Sequence, residues 1–135
     1  MEFIADTTVL IDPWRFRDKP SRIADLAEKV GGASLIVPWI TQAEFSRGAL
    51  FKGVSLPTLA DFYSNFLLLA LDQNTVDRYC ELWVELAWRG KAPDYPDLWI
   101  AAVASARRTP LITRNPKHFE QIPALDVVGY TLRTP

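Results

Sequence analysis

Short apolar runs recur along this chain, each stopping at a polar or turn-forming residue, with longer stretches of helical spacing between them. That alternation constrains the fold more than any other feature. Strands that run parallel need a long return connection, and a helix that packs back onto the sheet supplies it. Phe3 to Ala5 predicts a first strand, ending at Asp6. Ser34 to Val37 predicts a second. Leu67 to Leu71 is a continuous apolar run, the pattern of a strand buried on both faces. Leu111 to Thr113 and then Val127 and Val128 complete the set.

The intervening stretches read as helices. Ile23, Leu26, Ala27 and Val30 share one helical face within Ser21 to Val30. Gly31 and Gly32 close that helix, since glycine accepts the left-handed backbone of a helix end. Trp39 to Leu50 predicts a second helix beginning near Thr41, and Leu59 to Asn65 a short third. Asn74 or Thr75 caps a long helix that runs through Trp88 and stops at Gly90. Asp97 to Arg107 predicts the last, where Ala101, Ala102 and Ala104 allow close packing. The expected architecture is a single α/β domain over residues 1–135, a parallel central sheet between two helical layers.

At 135 residues such a domain can bury a core without staples. The lone Cys80 cannot pair within the chain, so packing must hold the fold and a reducing cytoplasm is the expected compartment. Cys80 itself reads as a small buried hydrophobe. No basic leader and no apolar run long enough for a bilayer are present, so neither a signal peptide nor a membrane span is expected. A formal charge of −1 excludes a protein that coats nucleic acid by charge alone, but it permits a local grip.

Five Trp, seven Phe and four Tyr point to a large core, a partner surface, or both. On the helix ending at Trp88, Val76, Tyr79, Cys80, Trp83, Val84 and Ala87 form one broad face. Leu82, Leu86 and Trp88 lie elsewhere around it. One face serves the core, and the remainder suits an interface.

Parallel α/β sheets bind ligands beyond the carboxyl ends of their strands. Asp6 follows the first strand, Glu44 lies in the helix after the second, and Asp97 opens the helix before Leu111. Each acid also has a local explanation. Asp6 could hold an Asx turn. Glu44 could close a capping box with Thr41. Asp94 could cap the helix in which Asp97, as third residue, meets the positive end of the dipole. Together, three carboxylates at one sheet end would repel unless positive charge sat among them. A hard divalent cation fits: Mg²⁺ takes oxygen ligands at about 2.0–2.1 Å and keeps several waters. With one His and one Cys, a zinc cage does not fit.

Ile4-Ala5-Asp6-Thr7-Thr8-Val9-Leu10-Ile11, the acid of Thr41-Gln42-Ala43-Glu44, Pro96-Asp97-Leu98-Trp99-Ile100-Ala101-Ala102 and Leu111-Ile112-Thr113-Arg114-Asn115-Pro116-Lys117-His118-Phe119 resemble, in order, the signatures of the PIN-domain family. Within it the chain looks most like the VapC toxins of toxin–antitoxin pairs. The resemblance implies a parallel sheet flanked by helices and hydrolysis of RNA phosphodiesters that depends on Mg²⁺ or Mn²⁺. It implies Asp6, Glu44 and Asp97 as catalytic metal ligands. It also implies a homodimer and a small antitoxin partner. Thr7 and Thr113 match hydroxyl residues of such sites, and Asn115 and His118 stand where a fourth acid is common. Asp94 is a further candidate at the same place.

RNA would be gripped by Trp14-Arg15-Phe16-Arg17-Asp18-Lys19, which interleaves aromatic and basic groups, and by Arg107, Arg108 and Arg114. The competing reading of the first segment is a solvated loop with its rings packed down. Two other classes compete for the whole. A PIN domain that binds RNA or protein without cutting it is favoured by the missing fourth acid. A phosphoacceptor domain has Asp72 after the third apolar run but lacks a Lys near a late strand. A haloacid-dehalogenase-like site needs Asp-x-Asp after the first strand, and Asp6-Thr7-Thr8 fails it.

Overall fold

Phe3, Ile4 and Ala5 are all buried, as a strand with neighbours on both edges and layers on both faces requires. In the computed structural model, which describes residues 2–18, 34–91 and 95–129, this strand, β1 (Glu2–Ala5), lies at the centre of a five-stranded sheet. β2 (Ser34–Pro38), β3 (Leu67–Leu69), β4 (Leu111–Thr113) and β5 (Val127–Gly129) join it in the order β3-β2-β1-β4-β5, every pair parallel. Ile4 stands beside Ile36 on one edge and Leu111 on the other.

A short 3-10 helix, Thr7–Leu10, follows β1 and leads into α1 (Ile11–Arg15). After β2 come α2 (Trp39–Phe51) and α3 (Leu56–Tyr63). α4 (Gln73–Trp88) and α5 (Tyr95–Arg107) follow β3, and a second 3-10 turn, Pro116–Phe119, follows β4. The expected helix over Ser21 to Val30, with Gly31 and Gly32, lies outside the described residues.

The pleat sends alternate residues to opposite faces. Ile4, Ile36 and Leu111 pack with Leu82 and Leu86 of α4 and with Leu98 and Ile100 to Ala104 of α5. On the other face Phe3 and Ile112 meet Val9, while Val37 and Leu10 meet Leu59, Phe62 and Tyr63. Each fully buried Leu or Ile contributes about 1.5–3 kcal/mol by burial. Among the described residues no helix is long and apolar enough to cross a membrane.

Three expectations are corrected here. The run Leu67 to Leu71 is not a strand buried on both faces: β3 is only Leu67–Leu69, it sits at the sheet edge, and Leu67 and Leu68 are half exposed. Cys80 is exposed. The core face of α4 is Thr75, Leu82 and Leu86, with Tyr79 packed against it. Those positions follow a helical spacing of four, three and four, whereas Cys80, Trp83, Val84, Ala87 and Trp88 face outward. Tyr79 stacks on Trp99 of α5 at 3.8 Å between ring centres, which sets the rotation of α4.

The start of α4 is fixed by Asp72, not by Asn74 or Thr75: its Oδ1 accepts from the backbone N–H of Thr75 at 2.9 Å. That bond holds the Asp72 carboxyl below its ordinary value of 3.8. A group lowered in the folded state stabilises fully above its unfolded value, and the contribution is lost as pH falls through the folded one. Asp72→Ala should therefore lower the melting temperature at neutral pH, and the gap from wild type should shrink in acid below that value. Circular dichroism melts across this range check it; an equal gap at both ends would contradict the capping role.

Candidate active site

Asp6 continues the β1–β4 ladder by one bond, its N–H donating to Ile112 O at 3.2 Å. The chain then turns, and Val9 N–H donates back to Asp6 O at 3.1 Å to start the 3-10 helix. Asp6 is thereby held between the carboxyl ends of β1 and β4, only 6 % exposed. Its Oδ2 accepts from Thr8 Oγ1 at 3.0 Å and from Thr113 Oγ1 at 2.5 Å. Each hydroxyl is itself an acceptor, Thr8 from Arg114 N–H at 3.1 Å and Thr113 from Asn115 N–H at 3.0 Å. The two threonines thus relay backbone donors of the β4 exit to the carboxylate, and such chains polarise one another. Asp6 makes no cap bond with its side chain, so the Asx-turn alternative falls away.

The capping box at Thr41 and Glu44 does not form either. α2 starts at Trp39 with Pro38 as N-cap, placing Thr41 inside the first turn. Thr41 Oγ1 instead donates to Ala5 O at 2.9 Å and is fully buried, pinning α2 to the end of β1. Residues three apart share a helix face, so Glu44 points toward the same strand end. There its Oε1 accepts from Thr7 Oγ1 at 3.0 Å.

Asp97 is the third residue of α5, as its sequence position implied. Its Oδ2 lies 3.6 Å from His118 Nδ1. Arg114 Nη1 lies 3.8 Å from Oδ1 of Asp12, whose side chain is 3 % exposed. This pair ties α1 to the β4 exit. Sequence reasoning missed Thr8, Asp12 and the true partner of Thr41. The doubled threonine after a strand-ending Asp was the available signal for Thr8.

Of the basic residues, Arg17 lies over the Trp14 ring at 3.8 Å and donates to Trp14 O at 2.7 Å. The Trp14 ring also meets Phe45 and Phe62 edge-on, so this segment has its indole packed down rather than free to stack a base. Arg15 and Arg114 are exposed. Lys19 and Asp94 lie outside the described residues.

Among the described residues no Lys, Arg or His pairs with Asp6 or Glu44. A carboxylate this buried is costly to keep charged without a positive partner. Asp6 with the hydroxyls of Thr8 and Thr113, and Glu44 with the hydroxyl of Thr7, are oxygen donors of the hard type that a divalent cation with several waters accepts. Among the described residues no three Asp, Glu, His or Cys side chains form a ready-made metal cage. Water would have to supply much of an ion's shell.

A family model described as PIN domain matches residues 3–125, and the chain belongs to that family. Ribonuclease VapC1 from Methanocaldococcus jannaschii is 31% identical over 121 residues, which are 90% of this chain and 81% of that one. Among solved structures, VapBC2 from Rickettsia felis bound to a promoter DNA fragment superposes with a TM-score of 0.79 at 24% identity, over 97% of this chain and 100% of that one. VapBC-1 from nontypeable Haemophilus influenzae gives 0.75 at 25% identity, over 96% and 98%. The sheet between two helical layers is the fold the sequence resemblance implied.

Proposed function

We propose that this chain is a divalent-metal-dependent endoribonuclease of the VapC kind, hydrolysing RNA phosphodiesters with a metal-activated water. The observation that carries the reading is Asp6: a buried carboxylate at the end of the central strand, ordered by two hydroxyls and without a cationic partner among the described residues. Asp6, Asp97 and Glu44 would hold Mg²⁺ or Mn²⁺, directly or through water. The bound ion supplies a water of lowered pKa and neutralises charge on the phosphate.

The chain's own part is orientation. Thr8 and Thr113 fix one oxygen of Asp6, and Thr7 fixes one oxygen of Glu44. Asn115 adds a neutral carbonyl at the site's edge. Exposed Arg15, Arg17 and Arg114 would contact phosphates, with Lys19 beside them in sequence. The relative named Ribonuclease VapC1 supports the activity. The test is one RNA followed by gel shift and by cleavage, with Mg²⁺, Mn²⁺ or EDTA. Metal-dependent cleavage is expected; a shift without cleavage under any metal favours the non-cutting alternative.

The partners follow from the same reading. The neighbouring structures are VapBC complexes, which supports a small antitoxin. A basic side chain of that antitoxin would answer the charge of Asp6. A homodimer would use α4, where Cys80, Trp83, Val84, Ala87 and Trp88 make an outward stripe with Trp83 51% and Trp88 84% exposed. Such a stripe is costly to leave wet. The compartment would be the cytoplasm. Wild type should sediment as a dimer at micromolar concentration, and Trp83→Ser with Trp88→Ser as a monomer. A monomeric wild type would contradict the interface.

A further inference from the structure

We infer that Asp12 is a positioning residue: its buried carboxylate holds the Arg114 guanidinium at the exit of β4, where the guanidinium takes an RNA phosphate. The inference deepens the ribonuclease reading above and rests on it for the class of substrate. Arg114 is tied at both ends. Its backbone N–H donates to Thr8 Oγ1 at 3.1 Å, and that hydroxyl donates to Asp6 Oδ2 at 3.0 Å. The main chain of Arg114 therefore stands one hydroxyl away from the carboxylate at the end of the central strand. The residues on either side are fixed with it: Thr113 is fully buried, and Asn115 N–H donates to Thr113 Oγ1 at 3.0 Å. At the far end, Arg114 Nη1 lies 3.8 Å from Asp12 Oδ1.

The two partners of that pair differ in what can reach them. The Asp12 side chain is 3% exposed and that of Arg114 38%. A phosphate in solvent cannot meet the carboxylate, whereas the guanidinium is open to it. A separation of 3.8 Å is too long for a hydrogen bond. The attraction therefore restrains the guanidinium without occupying its N–H fork, which matches the paired oxygens of a phosphate. Among the described residues the Arg114 side chain closes no hydrogen bond. Arg17, Arg78 and Arg89 each do, to Trp14 O, Ser105 Oγ and Glu85 Oε1. A long side chain loses freedom when it binds, so one already restrained binds more tightly. Removing Asp12 also removes a negative charge, which favours RNA; the solvent around a half-exposed guanidinium weakens that gain.

The test is binding of a short, end-labelled single-stranded RNA to full-length protein in EDTA, read by fluorescence anisotropy across a salt series. Arg114→Gln should raise Kd about tenfold and lower the slope of log Kd against log salt by about 0.7, the share of one phosphate contact. Asp12→Asn should raise Kd about threefold to tenfold. In the Arg114→Gln background the same change should shift Kd by less than about twofold, because Asp12 acts through Arg114. A purely structural Asp12 would lower the melting temperature and leave Kd unchanged, and that result overturns the inference. So does an unchanged salt slope in Arg114→Gln. Where Asp12→Asn fails to fold, Asp12→Glu keeps the charge, displaces it by one methylene, and should raise Kd only where Arg114 is present; a rise in both backgrounds overturns the inference. Wild type that binds this RNA but cuts it with no divalent ion would overturn the nuclease reading and leave this one standing. Wild type that binds no RNA would overturn both.

Discussion

Asp6→Asn should lower metal-dependent RNA cleavage by about a thousandfold, the scale of the several kcal/mol that a metal contributes to charge stabilisation. The substitution keeps the shape and one acceptor oxygen for Thr8 and Thr113, so the strand end stays ordered. It removes the charge that would hold the ion. Removing that charge also relieves the cost of a buried carboxylate with no cation beside it, so the metal-free melting temperature should stay level or rise. Asp97→Asn should lower cleavage likewise and cost at most about 1 kcal/mol of metal-free stability through its helix-end role. Activity within tenfold of wild type in both variants, or a large metal-free loss of stability, would mean these acids are chiefly structural.

Leu86→Ala should destabilise the fold by about 2–5 kcal/mol, the range for emptying a packed core site. Leu86 is 1 % exposed and packs among the residues of α5 beneath the sheet. Trp88→Ala, two residues on, removes a larger side chain that is 84% exposed, and should change monomer stability by no more than about 0.5 kcal/mol. Chemical denaturation of the two variants, compared at a concentration where each is monomeric, measures the difference. Equal losses would contradict the rotation of α4 described above.

That rotation is where the sequence was least informative. Two sets of residues on α4 both have helical spacing, and the bulkier set contains tryptophan, so periodicity alone favours the wrong side. The choice is made by α5, whose alanines admit Leu82 and Leu86 and whose Trp99 receives Tyr79. Composition likewise cannot tell an edge strand from a central one, and Leu67 to Leu71 misled for that reason. The central strand was legible because the run Phe3 to Ala5 ends at a charged residue, and a strand end is a local event.

The candidate site was legible in part. Asp6, Glu44 and Asp97 were visible as acids at the expected ends of elements. The hydroxyls that orient them were not, since Thr41 in Thr-x-x-Glu carries the capping-box pattern as fully as any true cap does. Only the early start of α2 at Trp39 shows that Thr41 faces Ala5. Thr113 meets Asp6 from 107 positions away, a contact that no local pattern encodes.

The most direct test is the chemistry at the cut ends of a defined RNA incubated with purified wild-type protein. Attack by a metal-activated water leaves a 5′-phosphate and a 3′-hydroxyl, only when Mg²⁺ or Mn²⁺ is present and never in EDTA. Cleavage that survives EDTA, or that leaves a 2′,3′-cyclic phosphate, would contradict the account, as would RNA left intact with every divalent ion supplied.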